Sequence, residues 1–174
     1  VEFSSQIDHI DLKQLPTIDK ELADKLADKK LGEIPSLGSQ VYVGDLTLQS
    51  VNGELCYVAP LEHSSLFKWL SNMEGTAGYV KVSATNQNDV QLVTELDGKP
   101  LKIKYLDSAY LFSDLNRAAF FRDMKKAHTD YTFELDDSGK PYWVITRYDN
   151  AIGITEYKAI GALIIDAQSG KSEV

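Results

Sequence analysis

The chain has 174 residues, 43% of them apolar and 25% charged, a composition that supports a packed core and argues against a disordered segment. Its formal net charge is −8. Lys99, Lys102, Lys104, Arg117, Arg122, Lys125 and Lys126 are interrupted by Asp107, Asp114 and Asp123, so these residues read as solvated faces and nucleic acid is not an expected partner. Cys56 is the only cysteine, which excludes an internal disulfide and a multi-cysteine metal site, and no apolar run approaches the roughly 20 residues of a membrane span.

In chain order, residues 1–14 show weak periodicity and read as a loose lead-in. A first helix opens at Pro16 and Thr17, with Thr17 as the expected cap of the free backbone donors and Asp19 and Glu21 at the positive end of the dipole. Ile18, Leu22 and Leu26, with Ala23 and Ala27, follow helical spacing; Gly32 is the expected stop and Pro35 bars continuation. Residues 41–51 read as one strand. Asn52-Gly53 signals a two-residue hairpin, since both positions tolerate positive φ, and the return strand runs over 54–61 with Pro60 marking its end. Residues 64–70 read as a short helix anchored by Trp69. Strands are expected over 78–84 and 90–96, the latter closing on the Asp97-Gly98 turn.

Leu101, Ile103 and Tyr105 alternate as a strand. Ser113 caps a second helix through Leu115, Ala118 and Phe121 to about Lys126. Tyr131, Phe133 and Leu135 alternate with polar residues, the mark of a half-buried strand. Asp137-Ser138-Gly139 turns the chain into a strand over 140–148, where Trp143 is expected in the core. Residues 159–167 form a nearly continuous apolar strand, expected to be central in its sheet, and Ser169-Gly170 leads into a last strand over 171–174. That strand is expected to be cut short.

The halves resemble each other. Residues 52–58 match 138–144 at an offset of 86, and residues 78–84 match 161–167 at an offset of 83, with the difference absorbed by the insert between strands. Each half then reads as a helix, a hairpin, an insert and another hairpin.

The helix up to Lys126, the run 133–145 with its Asp137-Ser138-Gly139 turn, and the apolar strand leading into Asp166-Ala167-Gln168-Ser169-Gly170-Lys171 together resemble a PepSY domain. The first half resembles a degenerate copy, in which Ser83-Ala84-Thr85-Asn86 replaces the Asp-Ala element and lacks its glycine. Residues 51–62 and Lys68-Trp69-Leu70 resemble membrane-tethered extracytoplasmic proteins of Gram-positive bacteria. The resemblance implies an α+β fold of two tandem cystatin-like units, each a helix packed on an antiparallel sheet, over residues 1–96 and 97–174. It also implies a cell-surface location, with the parent protein tethered to the membrane. PepSY domains occur in the propeptides of thermolysin-type metalloproteases and in envelope proteins, where they inhibit or chaperone proteases or serve as interaction modules. The function implied here is therefore a non-catalytic binding or regulatory module with a protein or peptide partner, such as a peptidase. An enzyme with a cleft between the halves, and a structural spacer, stand as alternatives.

Little in the residues points to chemistry. His9, His63 and His128 are far apart and show no zinc spacing. Glu62, His63 and Ser64 are a weak catalytic trio that reads better as a loop and helix cap. Asp136-Asp137, and Asn86, Asn88 and Asp89, faintly suggest cation loops but lack the alternating ligands and closing glutamate of a calcium site. No catalytic residue, metal or cofactor is expected, and Cys56 reads as a small buried hydrophobe. The unusual feature is nine tyrosines. Strand alternation puts Tyr142 on the face opposite Trp143, so Tyr142, Tyr148 and Tyr157 are the candidate partner-binding residues.

Overall fold

The computed structural model describes residues 15–64, 75–104, 128–150 and 157–173. The lead-in, the inserted helix with Trp69, Tyr105 and the helix over 113–126 lie outside the described residues.

The chain is an α+β protein dominated by antiparallel sheet. It begins with α1 (Lys20–Gly32) and the single turn α2 (Pro35–Gly38). The first sheet comprises β1 (Val41–Val43), β2 (Thr47–Val51), β3 (Glu54–His63), β4 (Tyr79–Ser83) and β5 (Val90–Val93). β1 and β2 share one edge of β3, and β4 then β5 follow on the other side. A small hairpin of β6 (Glu95–Leu96) and β7 (Lys99–Pro100) leads on. The second sheet is β8 (His128–Leu135), β9 (Pro141–Asn150), β10 (Tyr157–Asp166) and β11 (Ser172–Glu173), in the order β11-β10-β9-β8.

Several boundaries differ from the sequence expectation for identifiable reasons. The cap of α1 is Asp19, whose carboxylate accepts from the Leu22 N–H at 2.8 Å, while the Thr17 hydroxyl donates to the Thr85 carbonyl. Pro35 does not merely stop a helix but opens α2 at its first position, where no donor is required. Residues 41–51 are two strands, because Gly44 to Leu46 breaks away and sends Leu46 into the core. Pro60 lies within β3, not at its end. Its carbonyl accepts from Gly44, so its missing N–H falls at the gap between β1 and β2, where no ladder partner is lost. Residues 90–96 divide between β5 and the β6–β7 hairpin. Leu101 and Ile103 belong to no strand; Ile103 bridges Thr76, with N···O distances of 2.7 and 2.9 Å. The Asn52-Gly53 and Asp97-Gly98 turns have positive φ at both positions (52° and 76°, 51° and 71°), as their residue types imply.

Among the described residues, the first sheet packs on both of its faces. Tyr57, Ala59, Val80 and Val82 on one face of the first sheet pack on Ile18, Ala23 and Ala27 from α1 and its lead. On the other face, Cys56, Val58 and Tyr79 meet Phe133, Leu135 and Leu101 from the second half. β3 is therefore buried on both faces, which accounts for its unbroken apolar run.

Strands β2 to β5 and β8 to β11 share order and pairing register, while β1 has no counterpart among the described residues. Cys56, Tyr57 and Val58 of β3 pair with Ser83, Val82 and Lys81 of β4; Tyr142, Trp143 and Val144 of β9 pair with Asp166, Ile165 and Ile164 of β10. The sequence offsets of 86 and 83 carry one set of pairs onto the other. The first hairpins correspond likewise, since Leu48 pairs with Tyr57 and Phe133 with Trp143. Backbone bonds at the strand ends also repeat: Ala84 N–H to Leu55 C=O at 2.9 Å, and Ala167 N–H to Pro141 C=O at 3.1 Å. In the first half the Ala84 carbonyl accepts from Thr17 and Ile18, and in the second the Ala167 carbonyl accepts from Lys104. Finally, the Tyr57 hydroxyl donates to the Ile18 carbonyl at 2.9 Å, and the Trp143 indole N–H donates to the Lys104 carbonyl at 3.1 Å. Each half thus latches its incoming segment through an aromatic side chain at the same strand position.

Candidate functional site

The space between the halves is filled with side chains. Tyr79, Phe133 and Trp143 form an aromatic row, with centroid separations of 6.1 and 5.2 Å and the second contact close to edge-on. Trp143, expected in the core, is half-buried and packs against that core from its margin. Gln49 of β2 clamps the edge of β8, its amide donating to the Phe133 carbonyl at 3.0 Å and its oxygen accepting from the Leu135 N–H at 2.7 Å. The Tyr79 hydroxyl donates to the Gly139 carbonyl at 2.8 Å, and Asp137 accepts from the Asn52 N–H at 2.8 Å, joining the two hairpin turns.

The outer face of the second sheet is different. Pairing places Thr132 and Glu134, Tyr142, Val144, Thr146 and Tyr148, and Ala162, Ile164 and Asp166 on one side. Ile164 is 43% exposed, Ala162 is also exposed, and Val144, Tyr142 and Tyr148 are half-buried. The corresponding residues of the first sheet, Cys56, Val58 and Tyr79, are buried beneath the second half, and Lys81 stands where Ile164 does. Of the three candidate tyrosines, Tyr142 and Tyr148 share this face. Tyr157 pairs with Asn150 at the start of β10, and its side chain is outside the described residues.

One edge of this sheet is only partly paired among the described residues. β11 meets β10 at Ile164 and Ile165 alone, whereas β5 pairs with β4 from Tyr79 to Val82.

Charge at the rim of the face is internally compensated. The Lys140 ammonium lies 3.0 Å from the Asp166 carboxylate and 5.0 Å from the Tyr142 ring centroid. Its hydrogen bond to Asp166, then that to Tyr142, pushes the ammonium above its ordinary value. Burial pushes the Asp166 carboxyl up, but hydrogen bonds from Ser169, Lys140 and Gln168 outweigh it and hold the group below the usual carboxylate range.

The remaining candidates are occupied by structural roles. Glu62 and His63 are consecutive residues of β3, so they project to opposite faces, and the Ser64 hydroxyl donates to the Gln40 carbonyl at 3.0 Å. Glu62 and His63 thus lie in a strand, not in the expected loop. Asp136 accepts from the Ser138 hydroxyl and from the Ser138 and Lys140 N–H groups through one oxygen, which makes it the organiser of its turn. Asn86 accepts from the Asn88 N–H, and Asp89 accepts from Gln91. Asn88 also borders an open groove of about 230 Å³ lined by Lys29, Lys30 and Glu33 among others, with Lys30 and Glu33 ion-paired at 2.8 Å. Cys56 is buried, and burial pushes its thiol up, away from the reactive thiolate. His128 pairs with Tyr148 in β8, and His9 is outside the described residues.

Sequence reasoning did not find the Gln49 clamp, the Lys140–Asp166 pair or the exposure of Ile164. A signal for the last was present: at the aligned position the first half has lysine and the second has isoleucine. No protein-family model, no curated protein and no solved structure matches the chain.

Proposed function

We propose that the chain is a non-catalytic binding or regulatory module of the bacterial cell envelope, built of two tandem PepSY-like units, that engages a protein or peptide partner through the second sheet. The tandem-unit reading is supported by the shared register and by the paired Tyr57 and Trp143 latches. The observation that carries the binding reading is the outer face of β9 and β10. It presents Val144 and Tyr142 where the first sheet's equivalents, Val58 and Cys56, are covered by packed side chains, and it exposes Ile164 where the first sheet has Lys81. Strand addition is the mode this reading favours, since it pairs the backbone groups of an extended peptide with a sheet edge. By the PepSY resemblance, the partner is a peptidase or its substrate segment, and the parent protein holds the module at the cell surface by a membrane tether.

The test is selection of extended peptides from a display library on the immobilised chain, followed by amide NMR mapping. Perturbations are expected at Tyr142, Val144, Ile164 and along β10 towards Gly161. The Tyr142→Ala, Tyr148→Ala double variant should bind at least tenfold more weakly, as for loss of central aromatic anchors. Perturbations confined to the first sheet, or equal binding by the double variant, would remove this reading.

A further inference from the structure

The contact between the halves is one-directional. The first sheet contributes its outer face (Gln49, Cys56, Val58 and Tyr79), while the second half contributes a different patch (Leu101, Ile103, Phe133 and Leu135). In a duplicated chain each patch has a counterpart. The counterpart of the first is the outer face of the second sheet, Glu134, Tyr142, Val144 and Ala162, with Ile164 beside it. The counterparts of Leu101, Ile103, Phe133 and Leu135, at offsets of 86 and 85, are Leu15, Thr17, Leu48 and Ser50. All four of these are exposed, Leu15 by 45% and Leu48 by 43%, whereas Leu101 and Phe133 are each 2% exposed. The two ends of the molecule therefore carry the two unmatched halves of the interface that the chain makes with itself.

We propose that the chain stacks head to tail on copies of itself, the Leu15–Leu48 patch of one copy docking on the Tyr142–Val144–Ile164 face of the next. This rests on the tandem-unit reading and names a second copy as a partner for the same face. The contact is heterologous, so it propagates instead of closing on itself as a two-fold dimer does. It is also weaker than the contact inside the chain. Ala162 stands where Tyr79 supplies a hydroxyl bond, and Glu134 stands where Gln49 clamps a strand edge. A carboxylate accepts from the Ser50 N–H, the counterpart of Leu135, but cannot donate to the Leu48 carbonyl, the counterpart of Phe133. Association is thus reversible and concentration-dependent, and Glu134→Gln restores the missing donor.

Sedimentation over a concentration series tests this with variants at the two patches, their folding checked by circular dichroism. The wild-type mass average should rise beyond a dimer. Ile164→Lys, which restores the first sheet's residue type, and Leu48→Lys should each remain monomeric alone. An equimolar mixture of the two keeps one intact patch on each protein and should give a dimer and nothing larger. Glu134→Gln should associate about fivefold more tightly. A monomeric wild type at all concentrations, a mixture that stays monomeric, or a discrete dimer lost in Ile164→Lys but kept in Leu48→Lys would overturn the proposal. If the wild type is monomeric while selected peptides still map to the outer face, self-stacking fails and the partner-binding reading stands.

Discussion

Replacing Gln49 by alanine probes whether the second sheet is held by a side chain of the first. The amide makes two neutral hydrogen bonds to the free edge of β8, at 3.0 and 2.7 Å, in a partly buried setting. Each such bond contributes about 0.5–1.5 kcal/mol net, so Gln49→Ala should cost about 2 kcal/mol, and more if water cannot reach the abandoned Phe133 carbonyl and Leu135 N–H. Gln49→Glu separates donor from acceptor without changing shape. At neutral pH its carboxylate keeps the bond from Leu135 but faces the Phe133 carbonyl without a proton to offer. Protonation restores that donor, so the folded state holds the proton more tightly than the unfolded chain. The pKa of the introduced carboxyl is therefore raised on folding. The deficit against wild type should be full well above the raised value and shrink as pH falls through it. Urea unfolding at several pH values, with matched m-values, measures both effects. A Gln49→Ala variant within about 0.5 kcal/mol of wild type would refute the clamp.

The aromatic latches should be interchangeable in kind: Tyr57→Phe and Trp143→Phe should each lose about 1 kcal/mol or more, because each leaves a backbone carbonyl without its donor. Phe133→Ala, between Tyr79 and Trp143, should cost about 3–5 kcal/mol by urea unfolding and loosen the contact between the sheets. The carboxyls of Asp136 and Asp166 are both depressed on folding, burial being outweighed by the hydrogen bonds each accepts, so their contribution is complete above the unfolded carboxyl value and fades as pH falls through the lower folded one. Asp136→Asn and Asp166→Asn should each flatten the acid side of the stability profile below about pH 4, the ordinary aspartate value. EDTA should leave the thermal midpoint unchanged, since the loop carboxylates of Asp136 and Asp89 are bonded to their own turns, and a loss of several degrees would reveal a metal site.

Much of the local structure was legible because it depends on neighbours in sequence. Asn-Gly and Asp-Gly turns declare themselves by their tolerance of positive φ. The alternation of Phe133 and Leu135 declares a half-buried strand, whereas the burial of β3 on both faces was not read from its sequence. The offsets of 86 and 83 were legible, and they carry strand pairs of the first sheet onto strand pairs of the second. Boundaries that depend on distant partners were not legible. Nothing near Pro60 says that its missing donor falls opposite a gap in the neighbouring strand. Nothing near Leu101 says that its segment will bridge Thr76 and enter the core outside any strand.

The candidate site divides in the same way. Alternation alone determined that Tyr142 and Trp143 part to opposite faces, and that Tyr142 shares its face with Tyr148. Which face would be covered was decided only by how the sheets stack, because burial of a strand residue depends on the layer above it. The structure lays the second half across the outer face of the first sheet and leaves the second sheet's own outer face uncovered at Ile164 and Ala162. Leu48 and Phe133 show the limit most directly. They hold the same strand position in the two halves and look equally apolar in sequence, yet one is exposed and the other buried, since only Phe133 has a neighbouring sheet to pack against.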